Sequence, residues 1–118
     1  MGKIMIADDE VELLSLYTEM FKIFGHDVIS TVANGDEAID TYEKMEERPD
    51  LIIIDHRMPI RNGLETAAEI LKINPDEKII FVSADLSVKS KALEMGAMRF
   101  IEKPVELQTL RRTIDEIL

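Results

Sequence analysis

The 118-residue sequence contains no cysteine. Disulfides, thiolate metal centres and cysteine nucleophiles are therefore excluded, and a reducing compartment suits the chain, so a cytoplasmic location is expected. Positive charge is scarce as well: 14 lysines and arginines face 24 aspartates and glutamates, a formal net charge of -10. Duplex binding rests largely on cations that neutralise phosphates, so direct nucleic-acid binding is not expected. No apolar run approaches the roughly 18 to 20 residues of a membrane span, and the opening MGKIMIADDE lacks the long apolar stretch and cleavage site of a signal peptide. Residue 6 is Ile6 rather than Ser or Thr, so Gly2 does not begin a myristoylation signal. No membrane partner is expected. Low-complexity linkers and internal repeats are also missing. A chain of this length that is 46% hydrophobic suits one domain over residues 1–118, with no effector domain beside it.

What is present is alternation. Five short apolar segments, KIMIA (3–7), DVISTV (27–32), LIIID (51–55), KIIFVSA (78–84) and MRFIEK (98–103), are separated by stretches of helical period. Over residues 10–24, Leu13, Leu14, Tyr17, Met20, Phe21 and Phe24 recur at three- and four-residue steps, and Gly25 can end that helix in the left-handed conformation. Similar stripes run through Ala38, Ile39, Tyr42 and Met45, through Leu64, Ala67, Ala68 and Leu71, and through Leu107, Leu110, Ile114 and Leu118. The pattern predicts a (βα)5 chain folded as a three-layer αβα sandwich with a five-stranded parallel sheet. The flavodoxin-like strand order 2-1-3-4-5 suits five such units.

The run Leu51 to Ile54 has no polar alternation and reads as a strand buried on both faces; it leads straight into Asp55. In open α/β sheets ligands bind at that carboxyl edge. The first segment likewise ends at Asp8 and Asp9. If the two strands are neighbours, three carboxylates meet there, and two at about 5 Å repel by roughly 3 kcal/mol at an effective dielectric of about 20. Such a cluster calls for a cation. All-oxygen ligands favour Mg2+, with Mn2+ as the alternative, over zinc. Singly, each acid has a plainer reading, Asp8 and Asp9 as caps of the first helix and Asp55 as the start of a turn. Ser83 closes IIFV, and Lys103 follows FIE directly before Pro104. Either residue alone reads as a helix cap or a surface lysine. With the acids they make a site for a group that bears negative charge, and a phosphoryl group fits.

Taken in order, ADDE (7–10), ANGDEAI (33–39), DLIIIDHRMPIRNG (50–63), IIFVSA (79–84) and ALEMGAMRFIEKP (92–104) resemble the receiver domain of two-component response regulators. The resemblance covers essentially the entire chain. It implies that Asp55 accepts a phosphoryl group from a sensor histidine kinase or phosphotransfer protein. It also implies that Asp8, Asp9, Asp55 and the backbone carbonyl of Arg57 hold Mg2+. Ser83 would be the hydroxyl switch, Lys103 the phosphate-contacting lysine and Phe100 the switch aromatic, with a cis Lys103–Pro104 bond. Phosphorylation would shift the face formed by the fourth helix, fifth strand and fifth helix, to which a downstream protein docks, and slow self-dephosphorylation would end the signal. On this reading the protein is a switch rather than an enzyme acting on a separate substrate. It would be a monomer or a weak phosphorylation-dependent dimer; Met98 and Arg99 stand where transcription-factor receivers commonly carry an acidic dimerisation pair. Phe100 on a strand is equally explained as core.

Arg57 and Asp85 lie two residues after Asp55 and Ser83, and their opposite charges can pair across the mouth of the site. His56 reads as a packed or exposed histidine and His26 as a loop residue. Two rival classes remain: a receiver fold that is never phosphorylated, against which the full polar set speaks, and a Mg2+-dependent phosphatase of haloacid dehalogenase type. The latter carries a D-x-D nucleophile motif and usually a cap, and neither is present here. A calcium loop over DHRMPIRNGLE fails because Arg57 and Pro59 fall on ligand positions.

Overall fold

The computed structural model, which describes residues 2–118, turns the five apolar segments into one parallel sheet. The elements run β1 (Lys3–Ala7), α1 (Val11–Ile23), β2 (Asp27–Val32), α2 (Gly35–Lys44), β3 (Leu51–Ile54), α3 (Gly63–Ile73), β4 (Ile79–Ser83), α4 (Lys89–Met95), β5 (Arg99–Glu102) and α5 (Leu107–Ile117), with a 3-10 turn at Leu86–Val88 leading into α4. The strand order is β2-β1-β3-β4-β5, the flavodoxin-like arrangement the sequence predicts. Ala7 lies opposite Val32 on one side and Ile54 on the other, so the central strands end level with one another. The β1–β2 register slips between Ile4 and Met5, whose partners are Val28 and Ser30, leaving Ile29 as a bulge.

Side chains alternate along each strand, yet both faces are apolar because both are covered. Met5, Ala7, Ile52, Ile54, Ile79 and Phe81 point to the layer of α2, α3 and α4, meeting Ala38, Tyr42, Ala67, Ile70 and Ala92. Ile4, Ile6, Leu51, Ile53, Ile80 and Val82 point to α1 and α5, meeting Leu14, Tyr17, Phe21, Leu110 and Ile114. Removing a large aliphatic chain from either layer costs about 2–5 kcal/mol, which fixes the strands that carry the site.

Two helices begin on the same device. Asn34 accepts the Glu37 N–H at 2.8 Å and Asn62 accepts the Glu65 N–H at 2.9 Å, each cap contributing about 1 kcal/mol. Gly25 ends α1 at φ +87, a left-handed conformation that lets the His26 N–H reach the Phe21 carbonyl at 2.8 Å. His26 is in the predicted loop but buried, its Nδ1 accepting the Gly2 N–H at 3.0 Å. Gly63 is needed for proximity: a Cβ there would stand 2.5 Å from the Asp55 carbonyl oxygen. Among the described residues no helix is long and apolar enough to cross a membrane.

Candidate functional site

The ladder of hydrogen bonds runs one residue past the strands. The Asp8 N–H donates to the Val32 carbonyl and the Asp55 N–H to the Ala7 carbonyl, both at 3.0 Å. Asp8 and Asp55 are thereby set side by side at the carboxyl edge, and carboxylate oxygens of Asp8, Asp9 and Asp55 lie within 4.8 Å of one another. Asp8 and Asp55 are 2% and 5% exposed, whereas Asp9 faces solvent. Asp8 does not cap α1: its Oδ1 accepts the Glu10 N–H at 2.9 Å, just ahead of the helix.

On the other flank the Lys103 N–H donates to the Ser83 carbonyl at 3.0 Å, extending the β4–β5 pairing in the same way. The Lys103 ammonium reaches back across the edge, 2.8 Å from Asp8 Oδ2, 2.9 Å from Asp55 Oδ2 and 2.9 Å from Glu10 Oε1. Its three protons each have a carboxylate. Burial alone would lower the Lys103 pKa, but its bonds to Asp8, Glu10 and Asp55 outweigh burial and hold it well above the ordinary lysine range. Asp8 shows the reverse balance, pushed up by burial more than the Lys103 and Glu10 bonds pull it down. Three carboxylates thus share one ammonium, Asp9 adds a fourth acid to the cluster, and the local charge stays negative.

Ser83 is fully buried at the end of β4, and its Oγ accepts the Asp85 N–H at 3.2 Å. It is not a helix cap; Asp85 caps the 3-10 turn by accepting the Ser87 N–H. The Ser87 hydroxyl also bonds Asp85 and holds its carboxyl below the usual range. Arg57 and Asp85 do pair across the mouth, at 3.5 Å. The Arg57 N–H lies 3.4 Å from Asp55 Oδ1, a long bond that brings the Arg57 backbone beside the acid cluster. His56 is half-buried and its Nδ1 stands 3.4 Å from the Leu64 N–H, a packed position. Phe100 is half-buried and stacks on the fully buried Phe81, ring centroids 6.2 Å apart and planes 13° from parallel. The Lys103–Pro104 bond is cis.

Asp8, Asp9, Asp55 and Lys103 therefore converge, with Ser83 and Arg57 bordering them and Phe100 farther along β5. Sequence reasoning missed Glu10, which it names only inside the ADDE motif. The missing signal was that α1 begins after Glu10 without a side-chain cap bond, which frees this carboxylate to turn toward Lys103.

With this edge described, comparison with known proteins is decisive. The model of the response regulator receiver domain family matches residues 4–115. The chain belongs to this family. Chemotaxis protein CheY of Thermotoga maritima is 31% identical to this receiver, over 99% of this chain and 98% of that protein. Response regulator protein TrrA of Thermotoga maritima, solved in complex with Mg2+ and BeF, is 30% identical with a TM-score of 0.88 and is covered over 100% of both chains. The CheX–CheY–BeF3–Mg complex from Borrelia burgdorferi contains a chain 27% identical to this one, with a TM-score of 0.89, covering 98% of this chain and 89% of that one. This receiver is a phosphorylation-activated switch of a two-component system.

Proposed function

We propose that Asp55 is the phosphoacceptor, taking its phosphoryl group from a phosphohistidine on a sensor histidine kinase or phosphotransfer protein. The observation that carries this reading is the placement of Asp55: 5% exposed at the end of a central strand, with Oδ2 held 2.9 Å from the Lys103 ammonium. An Asp55 oxygen attacks phosphorus in line, the P–N bond breaks with its electron pair going to the imidazole nitrogen, and an acyl phosphate forms. Water later attacks the same phosphorus and restores the carboxylate. Lys103 neutralises the transferring group throughout.

The donor set suits a hard divalent cation, since each of the three clustered groups offers a carboxylate oxygen. Asp8, Asp9, Asp55 and the Arg57 backbone carbonyl would hold Mg2+, with Mn2+ a substitute. When bound, the ion supplies charge neutralisation at the phosphoryl oxygens.

After transfer, Ser83 donates its hydroxyl to a phosphoryl oxygen, and the shift of β4 opens room for Phe100 to turn inward. Moving an equilibrium from 1:99 to 99:1 takes about 5.5 kcal/mol, which a few charge-assisted hydrogen bonds supply. The readout is the face of α4, β5 and α5, where a downstream protein docks. Exposed Leu93 and Met98 support that assignment, as does a groove of about 390 Å3 between β5 and α5 that Phe100 helps line. The protein acts in the cytoplasm as a monomer or weak phosphorylation-dependent dimer, binds neither membrane nor nucleic acid directly, and turns over no separate substrate.

Intact mass spectra after incubation with Mg2+ and acetyl phosphate test the reading. One added phosphoryl group is expected, absent from Asp55→Asn and from the chelated sample. An adduct that survives Asp55→Asn would place the acceptor elsewhere. No adduct, with beryllofluoride also failing to bind, would mean a receiver fold that works unphosphorylated.

A further inference from the structure

Lys103 is fully committed before any phosphoryl group arrives. Its ammonium has three hydrogens, and Asp8, Asp55 and Glu10 accept all of them at 2.8 to 2.9 Å. Phosphorylation turns the Asp55 carboxylate into an uncharged acyl group and sets a more highly charged phosphoryl group beyond it, so the ammonium must move outward with that charge, and Asp8 or Glu10 must yield. The arms differ in what release would cost. The Asp8 side chain is 3% exposed, so a carboxylate abandoned there loses its lysine inside the protein. Glu10 is 57% exposed, and water replaces its lysine at little cost. Glu10 and Lys103 also share a hollow of about 420 Å3, which gives the carboxylate room to swing away without disturbing the core.

We infer that Glu10 is a positioning residue: it holds the Lys103 ammonium over the acid cluster and is the arm that Lys103 exchanges for a phosphoryl oxygen. The inference rests on the assignment of Asp55 as phosphoacceptor. It makes Glu10 a competitor of the phosphoryl group. Loss of the contact therefore speeds transfer and prolongs the product, because Lys103 no longer has to be won from Glu10.

The test compares Glu10→Ala and Glu10→Asp with the wild type at saturating Mg2+, following phosphorylation against acetyl phosphate concentration and then decay after the donor is removed. The Glu10 side chain makes no capping hydrogen bond, so both variants are expected to keep the wild-type melting temperature. Aspartate retains the charge but is one methylene too short to keep the contact. Both variants should raise the limiting rate about twofold to fivefold and lengthen the phosphoryl lifetime by a similar factor, as loss of one exposed charge-assisted bond implies. A change confined to the donor KM, with Glu10→Asp behaving as wild type, would replace the contact by simple charge repulsion and overturn the inference. So would a limiting rate unchanged or lowered in both variants. Independently of phosphorylation, the nitrogen-15 signal of the Lys103 ammonium should shift in both variants; an unmoved signal would show that no such bond exists. Failure of the Asp55 assignment looks different, because the wild type itself would then take up no phosphoryl group on Asp55.

Discussion

Carboxylates are buried at both edges of the sheet and are balanced by opposite means. At the carboxyl edge, Asp8 and Asp55 share one ammonium with Glu10, and Asp9 adds further negative charge. At the other edge Glu77, 8% exposed, accepts from the Tyr42 hydroxyl at 2.8 Å and from the Lys78 N–H at 2.9 Å. Asn74 donates to the Tyr42 oxygen at 3.1 Å, and the Arg48 guanidinium lies 4.8 Å above the Tyr42 ring. Burial pushes the Glu77 carboxyl up, and it pushes the Tyr42 phenol up to about 12, with the neighbouring Glu77 adding to the rise. A neutral donor meets each Glu77 oxygen. A single lysine among several acids leaves a surplus of charge and of lone pairs, and that surplus is what a metal-bound phosphoryl group can use. A buried acid is a candidate site only when its balance is unfinished.

The contrast breaks most visibly at Lys103. Lys103→Met should slow phosphoryl uptake about 10- to 100-fold, the worth of a charge-assisted bond to the transferring group, as read by the rate of adduct formation with acetyl phosphate. A rate equal to that of the wild type would strip the ammonium of its part in transfer. At the opposite edge, Tyr42→Phe leaves Glu77 one donor short and should destabilise the fold by about 1–3 kcal/mol in urea denaturation, while uptake stays at its wild-type rate. Lost uptake in that variant would erase the division between the two edges.

Glu77→Gln sharpens the comparison through pH. The folded Glu77 pKa lies above its ordinary 4.5, so the native state holds the extra proton, and the stability this carries is present below 4.5 and lost as pH rises through the folded value. Wild-type stability should therefore fall relative to Glu77→Gln as pH climbs from 4.5, measured by denaturation of both proteins across that range. A constant difference would show that burial does not disfavour the ionised acid. The smallest effect belongs to Arg57→Ala. The Arg57–Asp85 pair is exposed on the arginine side and is worth less than about 1 kcal/mol, so the phosphoryl lifetime should shorten only about twofold to threefold. An unchanged decay would remove the pair from control of water access.

Most of the carboxyl edge was legible because its residues are punctuation. Asp8, Asp55, Ser83 and Lys103 each interrupt an apolar run, and a polar residue at the end of a buried strand has few places to go. β1 and β2 match the predicted spans, β3 ends one residue early, and β4 and β5 are one residue shorter at each end, β4 at Ile79–Ser83 against 78–84. Glu10 escaped because the direction of its side chain depends on where α1 starts, a boundary that apolar periodicity does not mark. Glu77 escaped for another reason: its partner Tyr42 lies 35 residues away and reads from sequence simply as part of an apolar helical stripe. Phe100 occupies the ground between core and switch, stacked on Phe81 while still half-open to solvent.

The close approach at Gly63 has a mechanical consequence. With no room for a Cβ between the first turn of α3 and the Asp55 carbonyl, and with the Gly63 N–H donating to the His56 carbonyl at 2.8 Å, Asp55 is tied closely to α3. Asp55 is an anvil. If Asp55 accepts the phosphoryl group as proposed, displacement falls more easily to β5, one of the two edge strands, whose outer side is bound to no further strand. On that reading the chemistry happens on a braced strand, and the work it does appears at a free margin of the sheet, where a partner can feel it.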